Sequence, residues 1–160
     1  MTVVVSDTSP IRALDFLDRL PILETLFGRV LIPPAVRDEL TTPLPRFDAV
    51  DLSRYDFVEV RAPQDENRVQ EFLQDLDRGE SEALVLVLET GAKLLLIDEL
   101  RGRRTAAQHG IAVLGALGVL VRAKARGLMP EIRPLIEKLD ELEFFMSEQL
   151  KNDALRMAGE

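Results

Sequence analysis

Short apolar runs alternate with helix-like segments along this chain, and this alternation leaves few folds open to it. Two of them, "TVVVSD" (residues 2–7) and "AKLLLIDE" (92–99), contain consecutive Val, Leu and Ile rather than alternating polar residues. Strands of this kind are buried on both faces, as in a parallel sheet that helices cover. The pattern therefore predicts an α/β sandwich built on a parallel sheet.

The remaining segments continue the same alternation, and 160 residues suit one domain that spans 1–160. We expect one helix to begin at Ser9, as its cap, with Pro10 at its first position. Further strands are expected at 29–33, 56–63 (an edge strand), 110–115 and "FFMS" (144–147). Further helices are expected at 21–27, 33–40, 64–76, 79–91, 116–127 and 130–142, and after "FFMS".

Composition removes several classes of protein and of site. The chain has no Cys and a single His, His109, which excludes thiolate catalysis, Cys-ligated metals and multi-histidine metal sites within one chain. It has no run of about 18 apolar residues, and its start lacks a signal-peptide pattern. We therefore expect a cytoplasmic protein with no membrane partner.

Four acids occupy positions at which parallel α/β proteins gather functional groups. Asp7 and Asp98 each end a predicted buried strand, and ligands bind at the carboxyl ends of such strands. Glu80 opens a predicted helix, and Glu39 lies near the end of another. Carboxylates that converge on one cleft repel one another, and a hard divalent cation relieves that repulsion. Oxygen ligands favour Mg²⁺ or Mn²⁺, which can activate water against a phosphodiester.

Most of these acids also have a structural interpretation. Asp7 precedes Thr-Ser-Pro and suits a turn or a helix cap. Glu39 suits a solvated helix position, and Glu80 suits the first turn of a helix, where the dipole favours a carboxylate. Asp98 directly follows "LLLI" and is the hardest to explain in this way. The four together favour a metal site, and Glu82 and Glu99 stay open as further ligands.

A basic segment follows Asp98 in a chain whose net charge is −8. Residues 100–130 contain no Asp or Glu, whereas the overall charge argues against a generally basic nucleic-acid binder. We expect Arg103 and Arg104 to contact a phosphate backbone beside the cleft. Helix-end positions explain the other cations near Gly127, which are Arg122, Lys124 and Arg126.

Five motifs in order resemble one family across most of the chain, from about Val3 to the C-terminal helix. The family is the PIN-like domain family of predicted nucleic-acid-binding proteins, which are related to VapC-type toxin ribonucleases. The motifs are "SDTSPI", "IPPAVRDEL", "DRGESEALVLVLE", "LLIDELRGRRTA" and "GIAVLGALGVLVRAKARGL".

The resemblance implies a PIN-like three-layer sandwich, a parallel sheet flanked by helices, and RNA hydrolysis assisted by Mg²⁺ or Mn²⁺. Position by position, Asp7, Glu39, Glu80 and Asp98 match the family's catalytic acids. Asp7, Glu80 and Asp98 would bind the metal, Glu39 would support or join them, and Ser9 matches a small hydroxyl that assists the first aspartate. The resemblance also implies the toxin of a type II toxin–antitoxin pair, with RNA as substrate, an antitoxin partner and a homodimer.

Two residues depart from the VapC pattern. Glu80 is longer than the Asp common there, and Glu99 stands where a second Asp is often seen. Residues 116–128 also depart from ordinary VapC toxins. Two other functions stay open. One is a non-catalytic PIN-like module that binds nucleic acid or protein. The other is a phosphatase-like enzyme with Asp7 as nucleophile, although the expected second Asp is replaced by Ser9.

Overall fold

The computed structural model describes residues 3–141 and 146–160. Within this part of the chain, five short strands form one sheet in the order β3-β2-β1-β4-β5, and every pair is parallel. The predicted parallel sheet is confirmed, and β3 lies at an edge as expected. The strands are β1 (Val4–Ser6), β2 (Val30–Ile32), β3 (Val58–Val60), β4 (Leu94–Leu96) and β5 (Val113–Leu114).

Nine helices in the described residues connect the strands and cover the sheet. None of them is long and apolar enough to cross a membrane. They are α1 (Thr8–Phe16), α2 (Ile22–Phe27), α3 (Pro34–Leu40), α4 (Glu66–Phe72), α5 (Arg78–Thr90), α6 (Leu100–Gln108), α7 (Ala116–Ala125), α8 (Arg133–Glu141) and α9 (Glu148–Met157).

The apolar runs are buried on both faces because successive side chains of a strand point in opposite directions. Val4 and Leu94 belong to a core cluster that includes residues of α1 and α7. Val5 and Leu95 belong to a second cluster, which includes residues of α5 and α6. Helices thus cover the two faces of the sheet, which confirms the predicted three-layer α/β sandwich.

Helix α6 is the element that the sequence pattern did not reveal. Its sequence, "LRGRRTAAQ", buries only Gly102 and Ala106 against the rest of the protein. Two small residues give almost no apolar periodicity, which is the main signal for a helix. Arg101, Arg103 and Arg104 therefore lie on a helix, and the helical geometry fixes the direction in which each of their side chains points.

The predicted start of α1 was wrong. The helix begins at Thr8, and Asp7 precedes it without a side-chain capping hydrogen bond. Ser9 and Pro10 therefore lie inside the first turn. Of the predicted strand 144–147, residues 144–145 lie outside the described residues, and Ser147 instead caps α9 through the amide of Leu150 at 3.0 Å.

Candidate active site

The order in which strands are added to the sheet reverses between β1 and β4, because β2 and β3 lie on one side of β1, whereas β4 and β5 lie on the other. Ligands of open α/β sheets bind at such a switch point, outside the carboxyl ends of the strands. Asp7 lies there, and its amide donates to the Leu96 carbonyl at 2.8 Å. A cavity of about 650 Å³ opens beside it. It is lined by Asp7, Thr8, Ser9, Arg12, Asp38, Glu39, Thr42, Leu44, Phe47, Asp77, Glu80 and Glu99.

Asp7 is a buried carboxyl group, with 7% of its surface exposed. Burial raises its pKa to about 8, partly offset by the backbone amide of Thr8. Negative charge on Glu80, Asp77 and Glu39 raises this pKa further. Since Asp7 makes no capping hydrogen bond, the helix-cap interpretation does not account for its place in the cavity.

Glu39 approaches Asp7 from the last turn of α3. Its Oε2 accepts a hydrogen bond of 2.5 Å from the Thr8 hydroxyl, which fixes one side of the carboxylate. A Cβ atom on Gly79 would lie 3.1 Å from Glu39 Oε1 and 3.5 Å from Asp7 Oδ1. Both oxygens therefore lie against the same glycine, and the fold brings together two acids that are far apart in sequence.

Glu80 reaches the same cavity from the first turn of α5. Its Oε1 accepts from the amide of Asp77 at 3.2 Å, and Asp77 Oδ1 accepts from the amide of Glu80 at 2.8 Å, which forms a capping box. Glu80 Oε2 is buried and has no hydrogen-bond partner in the described residues. Burial, and then charge on Asp77 and Glu99, raise the pKa of Glu80 to about 7, although the Asp77 amide lowers it. Glu80 thus has a structural role that leaves one oxygen unused.

Asp98 does not face this cavity, contrary to the expectation from its place after β4. Its Oδ1 accepts from the Ala116 amide at 2.9 Å, at the start of α7. A Cβ on Gly115 would lie 2.5 Å from that oxygen, so only glycine allows this approach. Burial raises the pKa of Asp98, and its Oδ2 has no partner in the described residues.

Glu99, the next residue, lines the cavity instead. Its side chain accepts from the Arg101 amide at 3.5 Å, at the start of α6. The turn from β4 into α6 sends neighbouring side chains in different directions, so that Asp98 meets α7 while Glu99 meets the cavity. Asp98, which directly follows the buried run that includes β4, therefore lies outside the cavity, and its neighbour Glu99 lines the cavity.

The two arginines expected at the substrate lie elsewhere. Arg103 donates to the Ile97 carbonyl at 3.0 Å, and Arg104 is exposed; neither lines the cavity. Ser9 does line it, as expected. Arg12, which the sequence did not single out, is buried in the cavity wall and donates to the carbonyls of Glu39, Thr42 and Asp48.

Two further acids, Glu82 and Asp77, lie close to the catalytic acids expected from the sequence, and they differ in whether they line the cavity. Glu82 is buried but lies outside the cavity lining, because it accepts from the Ala35 amide at 3.1 Å and from Arg78 at 2.6 Å. Asp77 was missed as a wall residue. The spacing of Asp77 and Glu80 is the sequence signature of a capping box and could have revealed their contact.

The donor chemistry of this cavity fits a hard divalent cation. Its ionisable wall is mainly carboxylate oxygen, and Glu80 Oε2 is buried with no hydrogen-bond partner in the part of the chain that the structure describes. Across residues 3–141 and 146–160, no three acidic or His side chains stand close enough together to hold one ion as a group. Mg²⁺ commonly keeps several waters and binds through one or two carboxylates, so this arrangement suits Mg²⁺ or Mn²⁺ held by few protein ligands.

Comparison with known families agrees with this geometry. The family model for the PIN domain matches residues 3–160. A comparison with curated proteins gives no match. PIN domains are commonly nucleases and generally use divalent metals. With nearly the whole chain matched and the three-layer sandwich in place, this protein belongs to the PIN domain family.

Proposed function

We propose that this protein is a metal-dependent endoribonuclease that hydrolyses phosphodiester bonds at the Asp7 cavity. One observation carries the proposal. Asp7 is buried among Glu39, Asp77 and Glu80, and its pKa rises to about 8 because burial, and to a smaller extent these carboxylates, disfavour its ionised form. A divalent cation among them would favour the ionised form and remove the repulsion.

The roles of the residues follow from their contacts. Of the cavity acids Asp7, Glu39 and Glu80, one or two would bind Mg²⁺ or Mn²⁺ directly and the rest through metal-bound water, as Mg²⁺ commonly does. Thr8 would keep Glu39 turned toward Asp7 through its hydroxyl. Ser9 lines the cavity beside them and would contact the substrate. When bound, such a metal supplies an activated water and stabilises charge on the phosphodiester.

The fourth acid has two candidates. Glu99 lines the cavity, whereas Asp98 would have to leave the Ala116 amide to reach it. We propose Glu99 as the nearer ligand. Asp98, which the family resemblance suggests as a catalytic acid, would then act by holding the start of α7 in place.

The test combines Mn²⁺ titration by calorimetry with cleavage of a labelled RNA pool. Asp7→Asn and Glu80→Gln should lose both Mn²⁺ binding and cleavage. Glu71→Gln removes an exposed acid of α4 outside the cavity and should keep both. Failure of the wild-type protein to bind Mn²⁺ would contradict the proposal.

A second candidate is a PIN-like module that binds nucleic acid or protein without catalysis. The observation that favours it is that no three acids in the described residues form a ready-made metal group. Wild-type protein that binds Mn²⁺ and RNA but cleaves no RNA in the pool would support this candidate. Cleavage that Asp7→Asn abolishes would exclude it.

The biological setting that we propose is that of a VapC-type toxin: a cytoplasmic homodimer inhibited by an antitoxin protein. The five motifs that resemble the PIN-like family support it, because that family is related to VapC-type toxins. Inducible expression should arrest growth for the wild-type protein but not for Asp7→Asn. Light scattering on the purified protein should give twice the mass of 17.9 kDa.

A further inference from the structure

A second cavity adjoins the first. Its volume is about 490 Å³, and it shares three acidic wall residues with the first cavity: Asp77, Glu80 and Glu99. Glu80, which is 5% exposed and whose Oε2 has no partner among the described residues, lies between the two. The remaining wall of the second cavity consists of Leu73, Gln74, Asp75, Leu76 and Arg101.

Each of the two cavities has one arginine in its wall, and the two arginines differ in how free they are to bind a ligand. Among the described residues that line them, the cations are Arg12 and Arg101. Arg12 is buried, and its guanidinium donates to three backbone carbonyls, so it serves to hold the wall together. Arg101 is exposed, and one nitrogen donates to the Asp75 carbonyl at 3.1 Å. A guanidinium has five N–H donors, so this bond leaves most of them facing the cavity or solvent.

We propose that the second cavity is a subsite for an RNA phosphate next to the scissile one, and that Arg101 binds this phosphate. This inference rests on the ribonuclease function proposed above. An RNA strand brought to the acids of the first cavity is repelled by them, and a cation is needed beside the metal to hold the neighbouring phosphate. Arg101 is the cation in the right place, and the guanidinium fork matches phosphate oxygens.

The position of Arg101 is built into the fold. Arg101 is in the first turn of α6, two residues after Glu99, and its side chain is anchored on the loop that precedes α5 by the Asp75 carbonyl. The same helix turn carries Arg103 to the Ile97 carbonyl and leaves Arg104 exposed away from both cavities. Of three arginines within four residues, one therefore lines the subsite.

The chain offers a matched control for this proposal. Arg101→Gln and Arg104→Gln remove the same charge from exposed positions of the same helix. For cleavage of a single-stranded RNA with Mn²⁺, Arg101→Gln should raise KM about tenfold while kcat stays within about threefold. Arg104→Gln should leave both constants unchanged. Equal effects of the two variants would overturn the inference.

A binding measurement separates this inference from the ribonuclease proposal. In an Asp7→Asn background, which prevents cleavage, the affinity for a fluorescein-labelled RNA is followed by anisotropy over a range of salt concentrations. Arg101→Gln should weaken binding about tenfold and reduce the slope of log K against log [salt] by about 0.7, the loss of one phosphate contact. Arg104→Gln should leave the slope unchanged.

The outcomes differ for the two proposals. If the wild-type protein binds RNA but does not cleave it, the ribonuclease proposal fails, and the two salt slopes still decide the role of Arg101. If the slopes of the two variants are equal, Arg101 is not the phosphate contact, whether or not cleavage occurs. If no RNA binds at all, both proposals are overturned.

Discussion

The backbone amide of Ala116 donates a hydrogen bond of 2.9 Å to Oδ1 of Asp98. This bond joins the end of the β4 segment to the start of α7, and it occupies one oxygen of the acid that would otherwise be the first choice for a metal ligand. The glycine at 115 permits the approach, since a Cβ there would lie 2.5 Å from the same oxygen. A buried carboxylate at a strand end can thus serve the fold rather than the reaction.

Substitution of Asp98 tests whether this residue supports the fold or binds the metal. Asp98→Asn keeps an oxygen acceptor for the Ala116 amide and should retain most of the stability. Asp98→Ala removes that acceptor and should lower the free energy of unfolding by about 1–2 kcal/mol in urea denaturation. By calorimetry, Asp98→Asn should bind Mn²⁺ as the wild type does, whereas Glu99→Gln should bind it several-fold more weakly. Loss of Mn²⁺ binding in a stable Asp98→Asn protein would instead assign Asp98 as a ligand.

The raised pKa values of Asp7 and Glu80 predict how stability depends on pH without metal. These carboxyl groups titrate at about 8 and about 7 in the folded protein, against model values of 3.8 and 4.5. Between these limits the folded protein holds protons that the unfolded chain has lost. The free energy of unfolding therefore falls as the pH rises from about 4 to about 8.

Thermal denaturation in a chelating buffer checks this dependence. The Tm of the wild type should fall by about 5 °C or more between pH 5 and pH 8. Asp7→Asn cannot ionise at this position, and its Tm should fall less, so that it becomes the more stable protein at pH 8. Saturating Mn²⁺ should reduce the fall for the wild type, because a cation stabilises the ionised acids. A wild-type Tm that rises over this range would contradict the prediction.

Gly102 leaves room for the carboxylate of Glu80. A Cβ at this position would lie 2.8 Å from Glu80 Oε2 and 2.5 Å from Ile97 Cδ1. Both atoms end flexible side chains, so Gly102→Ala should fold but displace Glu80. We expect Mn²⁺ affinity and RNA cleavage to fall about tenfold, with a Tm within a few degrees of the wild type. Gly118→Ala, at a helical glycine that faces Leu114, should leave Mn²⁺ affinity unchanged.

Arg12 supports the cavity wall through three carbonyls, two of which lie beyond the end of α3. Arg12→Ala leaves these acceptors without their charged partner and should lower the free energy of unfolding by about 2–3 kcal/mol. Arg12→Lys restores the charge without the fork, and we expect a stability between those of Arg12→Ala and the wild type. Urea denaturation of the three proteins measures the order, and equal stabilities would show that these bonds are dispensable.

Several features of the fold could be predicted from residues alone. Consecutive Val and Leu in "TVVVSD" and "AKLLLIDE" can be buried only between two layers of helices, so they predicted the parallel sheet and its sandwich. The placement of Asp7 also followed, because the acid that ends a central strand must lie at the carboxyl edge of the sheet. Helix α6 was missed because Gly102 and Ala106 carry its packing with no bulky apolar side chain.

The apolar runs and the acids that end them were enough to predict the class of fold, the acidic character of the carboxyl edge and the place of Asp7 in it. Which acids share a cavity depends on the folded arrangement of the chain. The chain turn after β4 directs Asp98 to the Ala116 amide and Glu99 to the cavity, and within one turn of α6 the side chains of Arg101, Arg103 and Arg104 point in different directions. Adjacent residues of the same type, such as Asp98 and Glu99, cannot be told apart by their sequence surroundings. The direction of each side chain depends on the backbone path and on the partners that packing brings within hydrogen-bond distance.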